Sequence, residues 1–190
     1  MKLVTIQHKK VLELLLKGIT YENDFKYITS SSFDDITDKQ EKEEQDKIHS
    51  YQVLMRHYNY ASPPIFCCIP EKRVSFEGTK ISRYSILLEL EVPDDFINFH
   101  LHFRWKNICN YISTGRYTAE KDEEAKQALE YRDVDCGLAM QAVIPFIYPE
   151  WLIGVYKIPK DFDKFFKYGN TLHRLDYLND AIILKNKEAY

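Results

Sequence analysis

Gln141-Ala-Val-Ile-Pro-Phe-Ile-Tyr-Pro-Glu-Trp-Leu-Ile-Gly-Val-Tyr156 is the stretch that decides the fold class. Its apolar runs are short, rich in β-branched and aromatic residues, and cut by Pro145 and Pro149. That pattern reads as two buried strands joined by a proline-punctuated turn, over 137–146 and 151–158. Gln141 is a lone polar side chain near the opening of the first. A polar group at the rim of an apolar strand pair needs a partner or a ligand.

Outward from this stretch, the chain alternates strand and helix signals without order. Leu3 to Gln7 reads as a strand. His8 to Lys17 reads as a short helix with Val11, Leu12, Leu15 and Leu16 inward, stopped by Gly18, and Ile19 to Glu22 as a second short strand. Small hydroxyls and acids over Ser30 to Asp35 supply helix-start chemistry. Ile48, Tyr51, Leu54, Met55 and Tyr58 then recur at helical spacing, predicting one long helix over 34–59, solvated over 34–47 and docked beyond. Ser62-Pro63-Pro64 ends it. Ile65 to Ile69 is a buried strand, and Ser82 to Val92 alternates Ile86, Leu88, Leu90 and Val92 against Leu87, Glu89 and Glu91. Phe96 to Phe103 alternates again, as a strand or extended loop, with Asn98, His100 and His102 on the polar side. Trp105, Ile108, Cys109 and Ile112 mark a helix, Ala119 to Arg132 another, and 161–185 two more. There is no βαβ rhythm and no Gly-rich phosphate loop. The expectation is one α+β domain over 1–190, built on mixed or antiparallel sheet with peripheral helices.

A net charge of −3 gives no global attraction to nucleic acid or anionic membrane, and no apolar run reaches spanning length. The N-terminal apolar run is too short for a signal peptide. The four cysteines lack paired metal spacing, so free thiols in a reducing cytoplasm are expected.

Four groupings carry candidate chemistry. His100-x-His102 puts two imidazoles on one strand face, as a metal-dependent enzyme with an acidic partner requires, although no third ligand is obvious nearby, Asp94 and Asp95 being set apart by a turn, and a solvent-facing edge explains the pair more simply. Glu89-x-Glu91 pairs two carboxylates, and an outward polar face explains them with less effort. Cys136 lies between elements with no adjacent base. Finally, Thr5, Gln7 and His8 end the first strand and Gln141 begins a late one, while Tyr51, Tyr58 and Tyr60 offer rings for stacking. If the strand ends meet, they line a polar cleft for a nucleotide-sized ligand; otherwise they are ordinary strand-end polar residues.

The opening Val-Thr-Ile-Gln7, the helix closed by Gly18, Tyr51-x-x-Leu54-Met55, Ile86-Leu-Leu-Glu-Leu-Glu-Val-Pro93, Trp105 with Asn110, and Gln141-Ala followed by Pro149-Glu-Trp-Leu-Ile together resemble a bacterial and phage family of unknown function. That family in turn resembles the ADP-ribosyltransferases, including DNA-modifying toxins of toxin–antitoxin pairs. The resemblance implies a split β-sheet core holding NAD. It assigns Thr5, Gln7 and His8 to ribose or nicotinamide, Tyr51 to the ring platform and Gln141 to the ribose hydroxyl at the reacting centre. It implies a protein or nucleic-acid acceptor, or an antitoxin-like partner. Gln141 stands where the family carries Glu, and an amide supplies no negative charge beside a developing cation. Three outcomes are open: NAD or ADP-ribose binding without turnover, rescue by another carboxylate such as Glu150 or Glu89, or slow substrate-assisted transfer.

Overall fold

The computed structural model describes residues 1–28, 38–69, 84–130 and 140–158. Along the chain run β1 (Lys2–His8), α1 (Lys9–Leu16), β2 (Tyr21–Glu22), α2 (Phe25–Ile28), α3 (Asp38–Tyr58), β3 (Ile65–Cys67), β4 (Ser85–Glu91), β5 (Asn98–Leu101), α4 (His102–Ser113), α5 (Ala119–Leu129), β6 (Met140–Ile144), β7 (Phe146–Ile147) and β8 (Leu152–Lys157). The expected helix start over 34–37, Cys136, Tyr131 and the C-terminal helices over 161–185 lie outside the described residues.

The class is α+β, and among the described residues every pairing within the sheets is antiparallel. Two three-stranded sheets, β1-β4-β8 and β3-β6-β5, form the body, and β2-β7 makes a small third. Among the described residues the two larger sheets meet at one bridge, Val4 to Cys68, whose amides exchange hydrogen bonds of 2.8 Å. Thr5 stitches the same seam by donating its hydroxyl to the Phe66 carbonyl at 2.8 Å.

Strand alternation assigns the faces. On the first face, Leu3, Cys67, Leu88, Leu90, Leu101, Ala142 and Ile144 join Val11, Leu12 and Leu15 of α1 in the main core. Each fully buried Leu or Ile contributes roughly 1.5–3 kcal/mol. On the second face, β3-β6-β5 is covered by α3, α4 and α5 through Val53, Leu54, Trp105, Ile108, Ile112, Ala125 and Leu129, with Phe66 against them. Arg56 of α3 meets Asp122 of α5 at 3.3 Å, and Tyr117 donates to the same carboxylate at 2.7 Å. This exposed set orients the helices more than it stabilises them.

Local chemistry explains the helix ends. Gly18 takes φ +76° after α1, and the amides of Gly18 and Ile19 close back on the carbonyls of Leu15 and Leu14, each at 3.0 Å. This is a Schellman cap, and it needs the left-handed residue that the sequence places there. Asn59, at φ 54°, ends α3 by the same conformation.

Two expectations are corrected. The run Gln141 to Tyr156 is not one strand pair: β6 belongs with β3 and β5, β8 with β4, and β7 with β2. Phe96 to Phe103 is not one extended segment either, since β5 stops at Leu101 and α4 begins at His102.

Candidate functional site

Cross-strand register places the polar residues. His100 lies opposite Gln141 in the β5–β6 pair, and Cys67 opposite Ala142 in β3–β6. Continuing one residue, Val4, Cys68, Gln141 and His100 fall in one row across both sheets. Neighbours in such a row share a face. That face is the one under α3 and α4, so Gln141 and His100 enter the helix–sheet layer. His100 is 0% and Gln141 9% exposed. The expectation that His100 and His102 mark a solvent face fails because α4 turns back over β5 and covers it.

Within that layer the two imidazoles converge on one oxygen. His100 Nε2 is 3.3 Å and His102 Nδ1 is 3.2 Å from Gln141 Oε1. With both rings donating there, His100 Nδ1 is an acceptor, and it takes the Tyr58 hydroxyl at 3.3 Å. Tyr58 Oη is also 3.4 Å from the Phe99 carbonyl. Rings enclose the chain: Tyr58 stacks at 6.4 Å on His100, Phe66 stands edge-on at 6.1 Å, and Trp105 tilts against it at 6.0 Å. Burial depresses the His100 pKa to about 3, against an opposing pull from its Gln141 hydrogen bond, so the ring is neutral at pH 7. Burial also lowers His57. At the rim, Asn98 donates to Tyr60 Oη at 2.7 Å, Tyr60 donates to the Val143 carbonyl at 3.3 Å, and burial raises the Tyr60 phenol to about 12.

The residues assigned to a shared nucleotide cleft are not brought together. Thr5 is 1% exposed and Gln7 donates Nε2 to its hydroxyl at 2.9 Å, so both project with Leu3 from the first face, opposite Gln141. His8 is on the second face but four residues beyond Val4, roughly 13 Å along β1. It is already in use: its Nδ1 accepts from the Lys10 amide at 3.2 Å as the cap of α1, and its ring tilts on Tyr84 at 5.5 Å. Tyr51 presents its ring edge-on to Phe66 at 5.5 Å, and burial raises its phenol. A groove holding Thr5, Gln7, His8, Tyr51 and Gln141 together is therefore corrected: strand parity and helix packing separate them.

Glu89 accepts a 2.6 Å hydrogen bond from Tyr156, while Glu91 and Glu150 are exposed. Cys67 and Cys68 are buried free thiols, and burial pushes the Cys67 thiol up. Among the described residues, no three His, Cys, Asp or Glu side chains cluster as a metal site. No described helix is long and apolar enough to cross a membrane.

An open site lies elsewhere. Between α4 and α5 a groove of about 210 Å³ is lined by Phe103, Arg104, Asn107, Tyr111, Lys121 and Glu124, floored by Ile108 and Ala125. Phe103 is 47% exposed. The Arg104 guanidinium carbon is 5.9 Å from the Phe103 ring centre, and Lys121 Nζ 5.1 Å from that of Tyr111. Lys121 also pairs with Glu124, donating to Oε1 at 2.6 Å. The signal was present as Phe103, Asn107 and Tyr111 at four-residue spacing. Reading Phe103 as strand concealed it. Comparison with protein-family models, with curated proteins and with solved structures finds no match for this chain.

Proposed function

We propose that this chain is a non-catalytic binding module that seats a nucleotide-type anionic ligand, of the NAD or ADP-ribose class, in the groove between α4 and α5. The observation that carries the reading is the pairing there of two rings with two cations, Phe103 with Arg104 and Tyr111 with Lys121. Arg104 stands in the groove beside Lys121, which is paired with Glu124 and also feels Glu120. Flat π-faces beside cations suit a planar ring carrying phosphate. The volume is below the ~300–1,000 Å³ of drug-sized sites, so the groove takes one ring or one phosphate and leaves the remainder in solvent.

Transfer of ADP-ribose through Gln141 is not part of this reading. Its carbonyl oxygen already receives two imidazoles inside a covered layer. What favours an ADP-ribosyltransferase-like scaffold is the antiparallel sheet divided at Val4 and Cys68, with the opening strand on the seam.

Titration calorimetry with NAD, ADP-ribose and AMP tests the reading, beside the same titrations of Arg104→Glu and Tyr111→Ala. Binding weakened tenfold or more by both variants is expected. No heat and no thermal shift at millimolar ligand, or binding indifferent to both substitutions, removes it.

A further inference from the structure

We propose that His100 Nε2, His102 Nδ1 and Gln141 Oε1 are the protein donors of a site for one late first-row divalent cation, of the Zn²⁺ or Co²⁺ kind. The His-x-His pair has no third donor in its own segment. The β5–β6 register supplies one from forty residues away in sequence, in the carboxamide oxygen of Gln141.

Distances carry the inference. Donors ~2.0–2.1 Å from a zinc-like ion lie ~2.9 Å apart at right angles and ~3.4 Å apart at the tetrahedral angle. The two nitrogens stand 3.3 and 3.2 Å from the oxygen, inside that range. The two edges that meet at the Gln141 oxygen already have the lengths of a coordination polyhedron. Imidazole nitrogen with neutral oxygen favours the later first-row ions over calcium or magnesium.

The surroundings accommodate the exchange. A metal-bound imidazole carries its proton on the other nitrogen and needs an acceptor for it. Tyr58 Oη, 3.3 Å from His100 Nδ1, provides one, and can turn its own O–H to donate to the Phe99 carbonyl at 3.4 Å. The His100 branch of the network therefore has two hydrogen-bonding states. Without an ion, Tyr58 donates to His100 and both imidazoles donate to Gln141. With an ion, His100 donates to Tyr58. His102 is half-buried, the most exposed of the three residues. The start of α4 at His102 opposes a cation, but only by a fewfold in affinity at a helix end.

The experiment uses the full chain stripped with chelator and titrated with Co²⁺ at pH 7.5. It reads visible ligand-field absorption and quenching of tryptophan emission, Trp105 lying 6.0 Å from His100. One equivalent is expected to bind. His102→Gln, which keeps an N–H for Gln141, should bind at least about 100-fold more weakly, Tyr58→Phe about 10–100-fold more weakly, and Gln141→Glu more tightly. Far-UV circular dichroism of each metal-free variant separates lost binding from lost folding. Absence of ligand-field bands in the wild type overturns the proposal. So does wild-type affinity in a folded His102→Gln, or weaker binding by a folded Gln141→Glu.

Discussion

Replacing Thr5 by Val removes the hydroxyl that ties the two large sheets together while nearly preserving the side chain's shape. Thr5 is 1% exposed, donates to the Phe66 carbonyl at 2.8 Å and accepts from Gln7 at 2.9 Å. Gln7 is half-buried and can turn to water, so its loss costs little. The Phe66 carbonyl loses a buried donor, and an unsatisfied buried group costs about 1–3 kcal/mol. Thr5→Val is therefore expected to destabilise by roughly 2 kcal/mol, or about 4–8 °C in Tm for a chain of this size. Thr5→Ser keeps the hydroxyl and removes one methyl, for about 1 kcal/mol. Urea unfolding gives these totals, and amide exchange locates them. In Thr5→Val the amides of Val4 and Cys68, which form the only bridge between these sheets among the described residues, should lose more protection than Leu88 or Val143. A local loss of 1.4 kcal/mol is about tenfold in rate. In Thr5→Ser the seam and the core should soften together. Equal seam protection in Thr5→Val and wild type, or the same local loss in Thr5→Ser, would show that the hydroxyl does not hold the sheets together.

Acid should destabilise the metal-free protein through His100. An unfolded histidine takes a proton below ~6.5 and the buried one only near 3, so the unfolded state binds more protons between those values and stability falls with pH, by about 1.4 kcal/mol per unit and roughly 2 kcal/mol at pH 5. Urea midpoints with chelator present should show a shallower acid slope in His100→Gln, and parallel slopes would refute the assignment. A Cβ at Gly154 would come within 2.8 Å of Glu89 Oε2 and 2.9 Å of the Tyr156 ring, so Gly154→Ala should displace the Tyr156–Glu89 hydrogen bond and cost about 1 kcal/mol, less in a Tyr156→Phe background. A double-mutant cycle measures it, and additivity counts against it. Gln141→Glu is expected to produce no transfer of label from NAD to any acceptor, and a gain of transfer would return Gln141 to a reacting centre.

Legibility in the sequence followed the range of the physics. The β4 face pattern and the cap at Gly18 are set by residues within a few positions of one another, and both were readable. His100 was not. A four-residue strand alternates in the same way whether its polar side meets water or a helix, and α4, carrying Trp105 and Ile108, is what covers it. Nor could local pattern show that Pro145 and Pro149 separate strands of three different sheets, because pairing in these three ladders depends on partners 62 to 126 residues away. The cleft imagined between Thr5, Gln7 and Gln141 failed on parity. The bridge at Val4 puts even positions of β1 on the Gln141 face, and Thr5 and Gln7 are odd.

The same parity accounts for Gln rather than Glu at 141. A carboxylate in that row would be buried beside two imidazoles, one of which burial keeps neutral. It would have to pull a proton onto His102 and form a partly desolvated ion pair, or remain an uncompensated charge, and either costs several kcal/mol in a low-dielectric layer. The carboxamide accepts both N–H groups and adds no charge. Only a cation among the three donors would reverse that preference, by making a negative ligand favourable. The sign of the Gln141→Glu effect on folding stability, measured with and without Co²⁺, therefore separates a purely structural brace from a metal site. The brace requires destabilisation in both conditions. The metal site requires that added Co²⁺ offset the loss.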